Sequence, residues 1–157
     1  LSTVSAGGMQ VQKSVFNKDQ GYNVVNGQKI ILSEDELEQA LTDSKLFSEL
    51  TYDYEIVKLV GSSTIDDQKV YEIKISDNNT EYYSIETGLK VKEVENQLID
   101  GNQITIETTI KEYQEVNGIL IPSEINQVTP AVPIPGGITI KFNTIELNVE
   151  SSDSDFN

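Results

Sequence analysis

The chain has 157 residues, a formal net charge of −15 and 11 basic residues, every one of them lysine. It contains no histidine, cysteine, tryptophan or arginine. Those absences exclude a zinc site of the usual nitrogen–sulfur kind, haem ligation, a thiol nucleophile, a Ser-His-Asp triad and the guanidinium fork that grips phosphate or carboxylate.

The first eight residues, Leu1 to Gly8, are small and polar and are expected to form a linker or disordered end. The chain opens on Leu1 rather than Met and shows neither a signal peptide nor a transmembrane run, so a processed product or an excised segment is expected. Met9 to Phe16 alternates apolar and polar and suits a strand. Tyr22–Val25 and Gln28–Leu32 flank Asn26-Gly27, a strong two-residue hairpin signal.

Ser33-Glu34-Asp35-Glu36 spells a capping box, and three acids in the first turn favour the helix dipole. Leu37, Ala40, Leu41, Ser44 and Phe47 follow at spacings of three and four, which predicts one amphipathic helix over 34–50. Thr42-Asp43-Ser44 is a place where it could split in two.

From Tyr52 onward the period drops to two. Breaks at Gly61-Ser62-Ser63, Ser76 to Asn79, Thr87-Gly88, Asp100-Gly101 and Asn117-Gly118 carry turn chemistry. Strands are predicted at 53–60, 69–76, 80–86, 89–97, 102–115, 119–127 and 138–149. The apolar phase flips between Ile110 and Tyr113, and again near Asn143-Thr144. Each flip predicts a bulge, as a strongly curved sheet requires. Val128 to Gly137 holds three of the four prolines. It is apolar, and it is read as a rigid connection over the sheet edge, or as a lid or contact surface through Ala131, Val132 and Ile134.

No constellation points to catalysis. Ser33 caps a helix and has no base partner, and Gly136-Gly137 precedes a strand, so it cannot cradle phosphate. The best carboxylate cluster, Glu150, Asp153 and Asp155, lacks the pattern of a calcium loop. The segment is therefore expected to be no enzyme and to use no metal or cofactor. Its polyanionic charge works against nucleic acid and anionic lipid surfaces. Tyr52, Tyr54, Tyr71, Tyr82 and Tyr83 fall on the sheet and suit either a ligand lining or ordinary strand packing.

Three stretches carry a family likeness: Lys69-Val-Tyr-Glu-Ile-Lys-Ile with Tyr82-Tyr-Ser-Ile-Glu-Thr-Gly-Leu-Lys-Val-Lys, Tyr113-Gln-Glu-Val-Asn-Gly-Ile-Leu-Ile-Pro-Ser, and Ile145-Glu-Leu-Asn-Val with Ser-Asp-Phe156. Together they resemble the LolA-like lipoprotein-carrier group. Gly21-Tyr22, Gly27-Gln-Lys, Ser33-Glu-Asp-Glu-Leu37 and Leu46-Phe-x-Glu-Leu50 are similar to the version attached to M16-type zinc peptidases. The His-x-x-Glu-His motif of those peptidases is absent.

The resemblance implies a single domain over 9–157. Its fold would be α+β: a strongly curved antiparallel sheet, an incomplete β-barrel, with an amphipathic helix on the concave face. It also implies a periplasmic or cell-envelope setting and an apolar cavity for a lipid or acyl chain. By parity and by this likeness, Leu41, Phe47, Tyr71, Ile73, Tyr83, Ile85, Ile106 and Ile110 would surround that cavity. The alternative is an accessory or docking domain covalently linked to a peptidase, with the same residues in a filled core. Carrier members often place an arginine in the cavity, and this chain has none.

Overall fold

A computed structural model describes residues 2–6, 9–25, 27–45, 47–99, 101–130 and 133–147. The chain divides into two compact units, Leu1–Thr51 with Glu150–Asn157, and Tyr52–Val149.

The first unit carries a four-stranded antiparallel sheet in the order β1-β2-β3-β4. Its strands are β1 (Ser2–Ala6), β2 (Met9–Phe16), β3 (Gly21–Val25) and β4 (Gln28–Ile31). Residues 2–6, expected to be linker, thus pair as a strand along β2. Helix α1 follows over Glu34–Asp43. The capping box forms as read: Ser33 Oγ accepts the Glu36 N–H at 3.4 Å, and Glu36 Oε2 accepts the Ser33 N–H at 2.7 Å. The helix is shorter than the expected 34–50. It stops at Ser44, whose hydroxyl donates to the Leu41 carbonyl at 2.9 Å, and a 3-10 turn follows at Ser48–Thr51. Short polar side chains compete here with the backbone ladder. Gly21 is buried, and a Cβ there would lie 2.7 Å from Phe16 Cβ and 2.8 Å from Leu32 Cδ1, so the space requires glycine. That close approach lets Phe16, Leu32 and Leu37 pack over the strand.

The second unit is a seven-stranded antiparallel sheet in the order β11-β10-β9-β8-β7-β6-β5. The strands are β5 (Lys58–Ile65), β6 (Gln68–Lys74), β7 (Asn79–Ser84), β8 (Lys90–Ile99), β9 (Asn102–Val116), β10 (Ile119–Val128) and β11 (Ile138–Lys141). All neighbours are consecutive in the chain, so the unit is a meander with open edges at β5 and β11. The fold class is the expected one: α+β, with unclosed antiparallel sheets and a single α-helix among the described residues.

Three local expectations are corrected. The strand placed at 53–60 runs instead from Lys58 to Ile65, and Gly61-Ser62-Ser63 lies inside it. Gly61 sits where the β5–β6 register slips past Val60, while the turn falls at Asp66 and Asp67 with φ of 48° and 65°. A glycine within a strand marks a bulge as readily as a turn, and aspartate tolerates positive φ. The final strand ends at Lys141 instead of bulging near Asn143-Thr144. Its last contact, Phe142 N–H to the Ser123 carbonyl at 2.8 Å, meets β10 where β10 itself leaves register. The flip between Ile110 and Tyr113 does coincide with a slip. Lys111 on β9 and Ser123 on β10 are both left out of the pairing.

Candidate functional site

Direct cross-strand partners share a face of the sheet, and so do residues two apart on one strand. The register therefore sorts the side chains of the seven-stranded unit. One face carries Tyr71 and Ile73 of β6, Glu81 and Tyr83 of β7, Glu93 and Glu95 of β8, and Ile104, Ile106 and Ile110 of β9. Ile125 of β10 and Ile138 and Ile140 of β11 complete it. Five of the residues expected to line a cavity, Tyr71, Ile73, Tyr83, Ile106 and Ile110, thus lie on one face, with Tyr71 directly opposite Tyr83. Ile85 follows the end of β7 and is 40% exposed. Leu41 and Phe47 belong to the first unit. Of the expected loop contacts, Ile134 is half exposed, and Ala131 and Val132 lie outside the described residues. So does the Glu150, Asp153 and Asp155 cluster.

The face has two regions. Over β9, β10 and β11 it is an isoleucine field. Ile110 pairs with Ile125, and Ile125 with Ile140, so three isoleucines stand in one row across three strands. None of the isoleucines named on this face is buried, and Ile140 at the edge is 41% exposed.

Over β7 and β8 the same face holds a buried charge cluster that sequence reasoning missed. Glu81 is only 1% exposed. Its Oε1 accepts from the Tyr52 hydroxyl at 2.6 Å and from Lys90 Nζ at 2.7 Å, and its Oε2 accepts from the Tyr83 hydroxyl at 2.5 Å. Three donors satisfy a carboxylate that would be costly to bury alone. Lys90 also lies 3.9 Å from Glu93. Burial by itself would depress the Lys90 ammonium, but the carboxylates of Glu81 and Glu93 hold it above the usual lysine range. Burial pushes the Glu93 carboxyl up, against the pull of Lys90 and of Asn79, whose Nδ2 donates to Glu93 Oε1 at 2.7 Å. The Asn79 Oδ1 is buried with no hydrogen-bond partner among the described residues. Tyr113 braces the cluster from β9, donating its hydroxyl to the Lys90 carbonyl at 2.7 Å, beside the register slip in the β7–β8 pairing.

Alternation does place Glu81 and Tyr83 on one face of β7. The proximity of Tyr52 and Lys90 depends on the 52–57 segment before β5 and on the β7–β8 register slip, which alternation alone does not specify. Among the described residues no group of three or more acids is arranged to hold a metal, and no helix is long and apolar enough to cross a membrane.

No family model matches the chain, and no curated protein matches it in sequence. Its structure is similar to the crystal structure of a DUF1329 family protein from Desulfovibrio piger, with a TM-score of 0.54 and 13% identity over 90% of this chain. The match covers 64% of that protein, so this chain spans a little under two thirds of its length. At that identity the likeness is one of fold. It supports a LolA-like fold in coarse outline only and does not reach the peptidase-attached variant.

Proposed function

We propose that the chain is a non-catalytic cell-envelope domain that holds an apolar chain, lipid or acyl, against the isoleucine face of its seven-stranded sheet. The observation that carries this reading is the Ile110–Ile125–Ile140 row, which is aligned across three strands, half-buried at Ile110 and Ile125 and exposed at Ile140. β-branched residues on adjacent strands make a smooth, stiff surface suited to a flexible methylene chain. Covering it removes apolar area from water at about 25 cal/mol per Å². The lack of histidine, cysteine and arginine supports the non-catalytic part, and the fold group supports the carrier-like part.

A neutral naphthylamine dye that brightens in apolar surroundings tests this directly. The dye should bind the purified protein, be displaced by a long-chain alcohol, and bind much more weakly to Ile125→Asp. An accessory domain beside a peptidase, with a filled core, would leave the dye at its buffer intensity.

A further inference from the structure

We propose that the amphiphile held on the isoleucine face carries a cationic amine head group, and that Glu93 and Glu95 select it against fatty acids. The inference rests on the apolar-chain reading above and adds the chemistry of the ligand's polar end.

Strand β8 borders the isoleucine field. Glu95 pairs across to Ile106, Glu93 to Thr108 and Gln97 to Ile104, so both carboxylates stand on the isoleucines' face two residues apart. Glu95 is half buried and makes neither hydrogen bond nor ion pair among the described residues. Glu93 accepts one bond, from Asn79, and lies at the edge of Lys90's reach. Lys90 in turn is engaged at 2.7 Å by Glu81, whose carboxylate is already saturated by Lys90 and two tyrosines. The cluster thus presents excess carboxylate at the border of the apolar field and no uncommitted ammonium.

An alkyl chain laid along Ile106 and Ile110 brings its head to this border. A carboxylate or phosphate head there meets like charge in a partly desolvated site, where repulsion is weakly screened. An ammonium head finds Glu95 without an ion pair among the described residues, and Glu93 held only by Asn79 and by Lys90 at 3.9 Å, and it lowers the penalty of keeping both charged there. The overall charge of −15 acts in the same direction at longer range.

The test compares dodecylamine with laurate, which share a chain length, as competitors of the neutral naphthylamine dye near pH 7 and low salt. Dodecylamine should displace the dye at concentrations about tenfold or more below laurate. In the Glu93→Gln, Glu95→Gln double variant that ratio should collapse toward one, because glutamine keeps the shape and removes the charge. Laurate competing as well as dodecylamine against the wild type overturns the head-group assignment and leaves the apolar-chain reading standing. So does a double variant with an unchanged ratio. Failure of the neutral dye itself to bind overturns the apolar-chain reading, and this inference with it.

Discussion

Glu81 and Lys90 show how strongly a few polar atoms can constrain an apolar face. The side chains are 1% and 15% exposed, so neither charge is left to bulk water. Removing one partner strands the other, and a stranded buried charge costs about 3–5 kcal/mol. Lys90→Met should therefore lower stability by about that much in urea titration. Glu81→Leu combined with Lys90→Met should cost clearly less than the two single changes added together, since the double change removes both charges at once. Additive losses would mean the pair is not energetically coupled. Glu93 yields a prediction of opposite character. Its folded-state proton affinity is raised by burial above the ordinary carboxylate value of 4.5. The folded chain therefore binds this proton more tightly than the unfolded chain does. Its contribution to stability is full below the ordinary value and is lost as pH rises through the elevated one. Glu93→Gln removes that loss, so the variant's urea midpoint should gain on the wild type as pH climbs from about 4 toward neutrality. A pH-independent difference between the two would show that Glu93 does not titrate abnormally. Lys90 acts at the other end. Its raised value preserves stability below the usual lysine range near 10.5 and gives it up only as strong alkali removes the proton.

The β10–β11 connection is where turn chemistry and close packing meet. Gly137 has φ of +81°, and a Cβ there would lie 2.4 Å from the Gln127 carbonyl oxygen and 2.8 Å from Val128 Cγ2. Both the conformation and the space require glycine. Gly137→Ala should cost about 1–3 kcal/mol and speed amide exchange across β11, the edge strand, ahead of β8 and β9. Uniform loss of protection across the sheet would mean that β11 is cooperative with the rest of it. Much of this architecture was legible beforehand, because alternation, Asn-Gly turns and a capping box are local signals. The parity that grouped Tyr71, Ile73, Tyr83, Ile106 and Ile110 survives in the register because single-residue slips would have inverted a whole face. What escaped was set by neighbours distant in sequence. The β5 turn falls at Asp66-Asp67 because Gly61 serves a bulge, and the last strand ends at Lys141 where β10 leaves register around Ser123. The Glu81 cluster escaped for the same reason: Tyr52 lies 29 residues from its partner.

Across the chain as a whole, the balance of charge decides how salt acts. Several ion pairs among the described residues are exposed at one or both ends, such as Lys141 with Glu112 and Glu124, and Lys74 with Asp77. Pairs of that kind contribute little, so screening them loses little. Against them stands a net charge of −15 on 157 residues, whose mutual repulsion favours expansion. Raising ionic strength from about 10 mM to about 150 mM shortens the Debye length from about 30 Å to about 8 Å, which screens long-range repulsion more than it weakens contact pairs. Thermal unfolding at neutral pH should therefore shift upward with sodium chloride over that range. The buried Glu81–Lys90 pair, shielded from mobile ions, should contribute nothing to the shift, so Lys90→Met should show the same salt slope on a lower baseline. A melting temperature that falls with salt would mean that specific ion pairs, and not net repulsion, dominate the electrostatics of this fold. A Lys90→Met slope that differs from the wild type would place that pair within reach of solvent ions.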